Sequence, residues 1–411
     1  MYDIIIIGAG ASGMMAAVTA ARRGAKVALL EHKDAIGKKI LATGNGRCNY
    51  TNKNMSADKY HGSRQLIKNG LSRFNEKDTI AFFESLGIPA YDNNGYIYPN
   101  SKQAASVVAA FRMELCRTKV DVKTDVQIDS IHYKHDKDDT SFIYQVNGSF
   151  GRLTAPKLII ACGLTASSKL GSDGSLFNAI GSLGHHMSDI VPALCGFYCS
   201  GLNFKKITGV RCDATVSSVI DGTLTEKETG ELQLTDYGLS GIPVFQISSL
   251  LSRALKKGQK AGIAIDFMPS CTPEKLSDYL KSRRAATTDR RSLNEMLNGL
   301  LNSKLMLELI HKSGLSPDQK GSLLTDKEIN MLTDTIKHTT VSVRCARDVE
   351  FAQVCAGGIR TKEIDARTLE SKVHPGLYFA GELLDVDGIC GGYNLQWAWT
   401  SGYITGMECS K

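Results

Sequence analysis

The stretch "DIIIIGAGASGMMAAVTAARRGAKVALLE" (residues 3–31) restricts the fold more than any other. Four consecutive isoleucines, Ile4 to Ile7, read as a strand buried on both faces, the pattern of a parallel sheet. Gly8, Gly10 and Gly13 follow as G-x-G-x-x-G, with Ala11 and Ser12 between the last two. The first glycine suits a tight turn, the second lets backbone approach a pyrophosphate, and the third lets the helix lie close to the strand. Ala16, Ala17, Ala20 and Ala21 keep that helix thin, Gly24 ends it, and "KVALL" is a second strand. Glu31 closes this strand 18 residues after Gly13, followed by His32. A carboxylate there accepts hydrogen bonds from an adenosine ribose. Together these residues make a complete βαβ nucleotide site.

NAD and FAD share an ADP half, so this unit does not choose between them. The next stretch does. "GKKILATGNGRCNYTN" (residues 37–52) is glycine-rich and polar where a simple dehydrogenase enters its next crossover helix. An FAD lies extended, and backbone from such a loop can line its pyrophosphate, ribityl chain and ring edge. The candidate contacts are Lys39, Thr43, Gly44, Gly46, Arg47, Cys48 and Asn49. "ATGNGRCNYTN" resembles the signature of a bacterial flavoprotein family that includes the YhiN-like proteins, itself similar to the glutathione-reductase and fumarate-reductase superfamily. The resemblance implies an α/β fold with a Rossmann-like domain holding FAD non-covalently. Disulfide reductases of that superfamily place two cysteines after the acidic residue. This chain has Cys48 alone, which favours a small buried contact near the flavin over a redox thiol.

Residues 59–86 read as helical and polar, "DNNGYIYP" (92–99) as a turn or hairpin, and 102–119 as a helix. "VDVKTDVQIDSIHY", "SFIYQVNG" and "APKLIIACG" read as strands separated by the charged turn "KHDKDD". The resemblance implies that such a meander lies across the sheet, with backbone at Val126 offered to the adenine. It also matches "KLIIACG" to a family strand ending Ala-Thr-Gly, which makes Ala161, Cys162 and Gly163 cofactor contacts. The run "GLTASSKLGSDGS" that follows departs from the family pattern.

Helical periodicity fades over residues 191–270. "GVRCDATVSSVIDGTLTE", "GELQLTDYGLSGIPVFQIS" and "GIAIDFMP" read as short strands of a small β-barrel. Residues 272–338 read as helical: "TPEKLSDYLKS" begins as a capped first turn, and "SLNEMLNGLLNSKLMLELI" has a heptad-like apolar face. The expected organisation is a first part of the FAD domain at 1–190, barrel at 191–271, a helical cap at 272–338, a return of the barrel at 339–356, and the rest of the FAD domain at 357–411.

Dinucleotide-fold sequence returns in "GLYFAGELLDVDG" (376–388), which resembles the superfamily's late strand, whose acidic end meets the ribityl chain. Gly381, Glu382 and Asp387 are its candidate contacts. "GGYNLQWAWTSGYITG" then reads as a turn into a helix. A helix start carries free N–H groups and the positive end of a dipole, which suits the negative edge of a reduced flavin. Gly391 and Gly392 let backbone approach, and Tyr393, Asn394 and Leu395 open the helix.

No second nucleotide fingerprint is present, so NADH or NADPH would act as a transient donor rather than a resident cofactor. The family includes a flavoprotein proposed to reduce 3-oxo-4,6-diene bile acids with NAD(P)H, and aminoacetone oxidases. The resemblance therefore implies reduction of an activated C=C bond of a small molecule, with amine oxidation using O2 as the alternative. No catalytic acid or base is assigned. The net charge of +7 concentrates between Arg253 and Lys320, where 13 Lys and Arg face 7 Asp and Glu. Such a run is a solvated face or a funnel for an anionic substrate. The basic segment alone suggests a flavoprotein acting on nucleic acid as a minor alternative; it lacks the interleaved aromatics that base stacking needs, so no nucleic-acid partner is expected. Eleven cysteines with no C-x-x-C and no clustered histidines point to buried thiols rather than a metal. The absence of a long apolar run or an evident leader makes the expected location cytoplasmic, with no membrane partner.

Overall fold

A computed structural model describes residues 1–135, 142–287 and 290–411. Most of the expected charged turn, from Asp136 to Asp139, lies outside the described residues. The chain divides into two compact units, Met1–Val191 with Val349–Lys411, and Pro192–Asp348.

The first unit is built on a five-stranded sheet in the order Leu377–Phe379, Lys157–Ile160, Ile4–Ile7, Val27–Leu30, Asp121–Lys123. Every pairing in it is parallel. Ile4–Ile7 is the central strand and all four residues are buried, which is why the sequence shows a continuous apolar run there. The helix Ala11–Arg22 packs against the C-terminal helix Tyr393–Cys409. A Cβ on Gly402 would sit 2.3 Å from the Ser12 carbonyl oxygen, and one on Gly406 2.6 Å from that of Ala16. The alanine-rich face of one helix and two glycines of the other thus bring the backbones together.

The tryptophans of the C-terminal helix are core residues. Trp399 donates from Nε1 to the Tyr50 carbonyl at 2.9 Å and stacks on Phe111 at 5.6 Å. The expected hairpin forms between Ala90–Asn93 and Tyr96–Pro99. "VDVKTDVQIDSIHY" is two strands, Asp121–Lys123 in the parallel sheet and Ile128–His135 in an antiparallel three-stranded sheet, with Asp125 left-handed between them.

The second unit is a closed barrel of six strands, Phe197–Ser200, Gly238–Gly241, Thr223–Leu234, Arg211–Ile220, Ala261–Asp266 and Thr339–Ala346, in that order around it. Residues 191–270 are not free of helix as the sequence suggested. "IPVFQISSLLSRALK" forms Ile242–Gln246 and Ser248–Lys256, because Pro243 starts a helix well and Val244, Ile247, Leu251 and Ala254 bury one face. The later helices are Pro273–Ala285, Leu293–Met296, Ser303–Lys312 and Asp326–His338. The apolar run from Ser292 is broken between Leu293–Met296 and Ser303–Lys312, with Gly299 left-handed in the gap. Side chains of Thr272, Ser292, Asn302 and Thr325 cap the four helix starts. All eleven cysteines are free. Among the described residues no helix is long and apolar enough to cross a membrane.

Candidate functional site

The glycines of the fingerprint meet the sheet as their spacing requires. A Cβ on Gly13 would lie 1.8 Å from the Gly8 carbonyl oxygen, and one on Gly8 2.5 Å from that of Ala161. Apart from its chain neighbours, no heavy atom of the described residues lies within 4 Å of the place a Gly10 Cβ would take. Gly10 is the N-cap of Ala11–Arg22; no side chain caps this helix, and its first turn has no acidic residue. Ala11, Ser12 and Gly13 therefore present a positive helix start beside open space.

Glu31 is buried and oriented by two backbone donors, Ala9 N–H at 2.8 Å and Lys33 N–H at 2.9 Å. Each carboxylate oxygen keeps a second lone pair for a further donor. His32 lies between Glu31 and Asp173, 3.4 Å from each. Val126 is drawn to this end by donating its N–H to the Glu31 carbonyl at 3.1 Å. That N–H is engaged, so the adenine contact expected there would have to come from elsewhere on Val126. Gly163 packs on Ser172, and burial pushes the neighbouring Cys162 thiol up to about 12. Gly381 donates its N–H to Ser401 Oγ at 2.8 Å and sits against Ser12. Glu382, the expected ribityl contact, already has two partners within the protein. Its carboxylate takes Lys39 Nζ at 2.7 Å and the Cys355 N–H at 2.7 Å, tying three segments together.

A second group of candidates gathers at the start of the C-terminal helix. The strands Tyr60–Gly62 and Val386–Gly388 pair antiparallel, which brings Asp387 opposite His61 and Gly388 opposite Tyr60. Asn394 clamps the turn by accepting from Gly388 N–H at 2.8 Å and donating to its carbonyl at 2.7 Å. Gly392, at φ 95°, is the N-cap; again no side chain caps the helix and no acid lies in its first turn. What a Cβ on Gly391 or Gly392 would strike is protein: the Tyr96 ring at 2.8 Å and the Thr51 carbonyl at 2.7 Å. The pair is thus required by packing against residues 49–52 and the hairpin, whatever else approaches it. Tyr393 is buried edge-on to Tyr60 and donates to the Asn54 carbonyl at 3.3 Å. Leu395 packs into the core.

The polar loop joins the two groups. Gly44, Asn45, Gly46 and Cys48 all have positive φ, so its glycines serve a nearly continuous left-handed turn. Thr43 bonds to the Ile40 carbonyl, and Arg47 lies over the Tyr98 ring at 5.5 Å. Cys48 is fully buried, and burial pushes its thiol up to about 12, which suits packing and not thiolate chemistry. Asn49 lies beside Gly392, and its Oδ1 is buried with no hydrogen-bond partner among the described residues.

Gly402, nine residues into the C-terminal helix, touches Ser12 at the start of the first helix. The two uncapped starts are therefore ~14 Å apart along the later helix, at 1.5 Å per residue. Two positive ends, a ribose acid, an open approach at Gly10 and an unpaired acceptor at Asn49 fit an extended flavin dinucleotide. Residues missed in the sequence are Ser401, Tyr60, His61 and Thr51, the last donating to Gln396 Oε1 at 2.6 Å. They lie far in sequence from the groups they hold, and no local spacing marks them.

The cationic segment is less free than its composition suggests. Arg283 donates to the Met296 carbonyl at 2.8 Å, and Arg284 to the Leu324 carbonyl and Asp326, each at 2.8 Å. Both pin the helices, whereas Arg290 and Arg291 are exposed.

A family model described as "HI0933-like protein Rossmann domain" matches residues 2–408. The chain is 42% identical to a 3-dehydro-bile acid delta(4,6)-reductase of Clostridium scindens, covering 100% of both. It is 29% identical to a ribosomal RNA dihydrouridine synthase of Escherichia coli, covering 99% of this chain and 98% of the relative. Among solved structures, 3-ketosteroid delta1-dehydrogenase from Sterolibacterium denitrificans superposes with a TM-score of 0.52 at 12% identity, covering 100% of this chain and 99% of the other. That likeness concerns the fold, which is the Rossmann-like FAD-binding architecture with an inserted barrel. With a match spanning nearly every residue, the chain belongs to the HI0933-like Rossmann family.

Proposed function

We propose that this chain is an FAD-dependent reductase of a C=C bond conjugated to a carbonyl in a steroid-like small molecule, such as a 3-oxo-4,6-diene bile acid. NADH or NADPH is the electron donor and the cytoplasm the location in this reading. The observation that carries it is the end-to-end identity of 42% with a 3-dehydro-bile acid delta(4,6)-reductase. The arrangement of these residues supports it. Glu31 would hold the ribose, the start of Ala11–Arg22 the pyrophosphate, and residues 43–52 with the start of Tyr393–Cys409 the ring. When bound, the flavin supplies hydride chemistry, and a helix start at its ring favours the reduced, anionic form.

A second reading rests on the dihydrouridine synthase relatives at 29% and 27% identity. Dihydrouridine is uridine whose C5=C6 bond, conjugated to C4=O, has been reduced, so the chemistry is shared and only the substrate differs. The higher identity favours the small molecule. Anaerobic mixing with NADH or NADPH, followed by a 3-oxo-4,6-diene bile acid, a uridine-containing RNA or O2, tests both. We expect the flavin to bleach with the nicotinamide and to recover its colour fastest with the dienone. Recovery with RNA alone would select the second reading, and bleaching of the flavin by an amine instead of the nicotinamide, with recovery by O2, would overturn both.

A further inference from the structure

A carboxylate near a diphosphate is unfavourable unless a cation stands with it. Glu382 is such a carboxylate. It follows Gly381, and a Cβ on Gly381 would collide with the Ser12 side chain in the first turn of Ala11–Arg22. A negative charge there opposes the positive helix start. Lys39 supplies the offsetting cation. Its Nζ lies 2.7 Å from Glu382 Oε2, and the two side chains are only 25% and 17% exposed.

Two separate anchors bring Lys39 to this place. Gly37 donates its N–H to the Ala9 carbonyl at 2.9 Å, so the short helix Lys38–Ala42 leaves directly from the fingerprint loop. Glu382 is fixed in its turn, because Oε1 accepts the Cys355 N–H at 2.7 Å. One anchor thus holds to Ala9 and the other lies beside Ser12, while Gly10 between them borders open space. The neighbouring Lys38 is engaged elsewhere, with the exposed carboxylate of Asp34. Among the described residues Glu382 is the one hydrogen-bond partner of the Lys39 ammonium. An ammonium carries three hydrogens, so donors remain for a ligand.

We propose that the side chain of Lys39 binds the diphosphate of FAD and that Glu382 is its positioning residue. The proposal rests on FAD as the cofactor in the reading above, whichever substrate is reduced. Glu382 keeps one ammonium hydrogen, and a phosphate oxygen takes another. The helix start alone offers neutral N–H groups, and Lys39 adds a full charge to them.

The test titrates the full-length apoprotein with FAD and with ADP at low and high salt. Lys39→Met should weaken FAD by about 10–100-fold, the worth of a charged hydrogen bond. ADP keeps the diphosphate but lacks the ribityl chain and ring, and it should weaken by a similar factor. Both losses should shrink as salt rises, since this pair is not fully buried. Lys39→Arg keeps the charge and should bind FAD better than Lys39→Met. The double variant Lys39→Met with Glu382→Gln should also bind better than Lys39→Met, in which the unpaired Glu382 carboxylate repels the diphosphate. That double variant carries no unpaired charge, so it still reports should Lys39→Met fail to fold. FAD affinity in the neutral variants within about threefold of wild type would overturn the proposal. A loss for FAD with ADP unaffected would overturn it too, by moving Lys39 to the ribityl chain or ring. An equal loss at both salt concentrations would reduce it to packing. A wild type that binds ADP but not FAD would overturn the cofactor reading and this assignment together.

Discussion

Two sets of helices in this molecule begin in opposite ways. In the second unit the helices between Pro273 and His338 start under the side chains of Thr272, Ser292, Asn302 and Thr325, and two of them have complete capping boxes. In the first unit Ala11–Arg22 and Tyr393–Cys409 start at glycines, with no side-chain cap and no acid in the first turn. A cap satisfies orphan N–H groups and is worth about 1 kcal/mol. In the proposed reading, leaving it out of these two helices keeps their positive ends for the flavin dinucleotide. In the same unit Arg64–Arg73 and Glu76–Ser85 are capped by Ser63 and Asn75, while Ala104–Arg117 also starts without a side-chain cap, at Gln103.

The strongest way to break the uncapped pair is Gly13→Ala. A Cβ there would meet the Gly8 carbonyl oxygen at 1.8 Å, so helix and strand must part. We expect a loss of about 3 kcal/mol or more and loss of bound FAD, measured by denaturant unfolding and flavin absorbance. Normal stability and normal flavin content would show that the helix does not need this approach. Next in size is Arg283→Ala in the capped set, which strips two charged donors from the Met296 carbonyl and should cost about 2 kcal/mol. Arg290→Gln should leave stability within about 0.5 kcal/mol. Equal effects from the two would mean that Arg283 is a solvated side chain.

Ala11→Asp separates the two roles of a helix start. A carboxylate in the first turn should stabilise the protein by about 0.5 kcal/mol, yet weaken FAD by roughly tenfold, about 1.4 kcal/mol. Titration of apoprotein with FAD checks the second sign and thermal unfolding without FAD the first. Tighter FAD binding would remove the anion site from this helix. Thr325→Ala, in the capped set, should cost about 1 kcal/mol of stability and leave FAD affinity unchanged.

The sequence was most readable where function depends on short spacing. Gly8, Gly10, Gly13 and Glu31 lie within one βαβ unit, and each occupies the position its spacing implied. The ring end was readable only as ingredients. "ATGNGRCN" announced a tight polar loop, but not that Asn45 and Cys48 share its left-handed backbone. Gly402 and Gly406 looked like ordinary helix residues, since their reason is the opposing backbone of Ser12 and Ala16. Arg283 and Arg284 counted as surface charge until the carbonyls they hold were known. The helix over 248–256 was hidden because its apolar residues followed a β-branched run that reads equally as strand.

The division of the chain bears on how it is made. Residues 192–348 form one continuous unit with its own core, while the sheet needs Leu377–Phe379 at its edge and Tyr393–Cys409 against its first helix. On a ribosome, the barrel unit can therefore finish folding while the earlier nucleotide-binding half still waits for a strand and a helix encoded more than two hundred residues later. During that interval the face of Ala11–Arg22 that Tyr393–Cys409 covers stays open, although the sheet and Ala104–Arg117 already cover its other side, which leaves this step exposed to misassembly or to help from a chaperone.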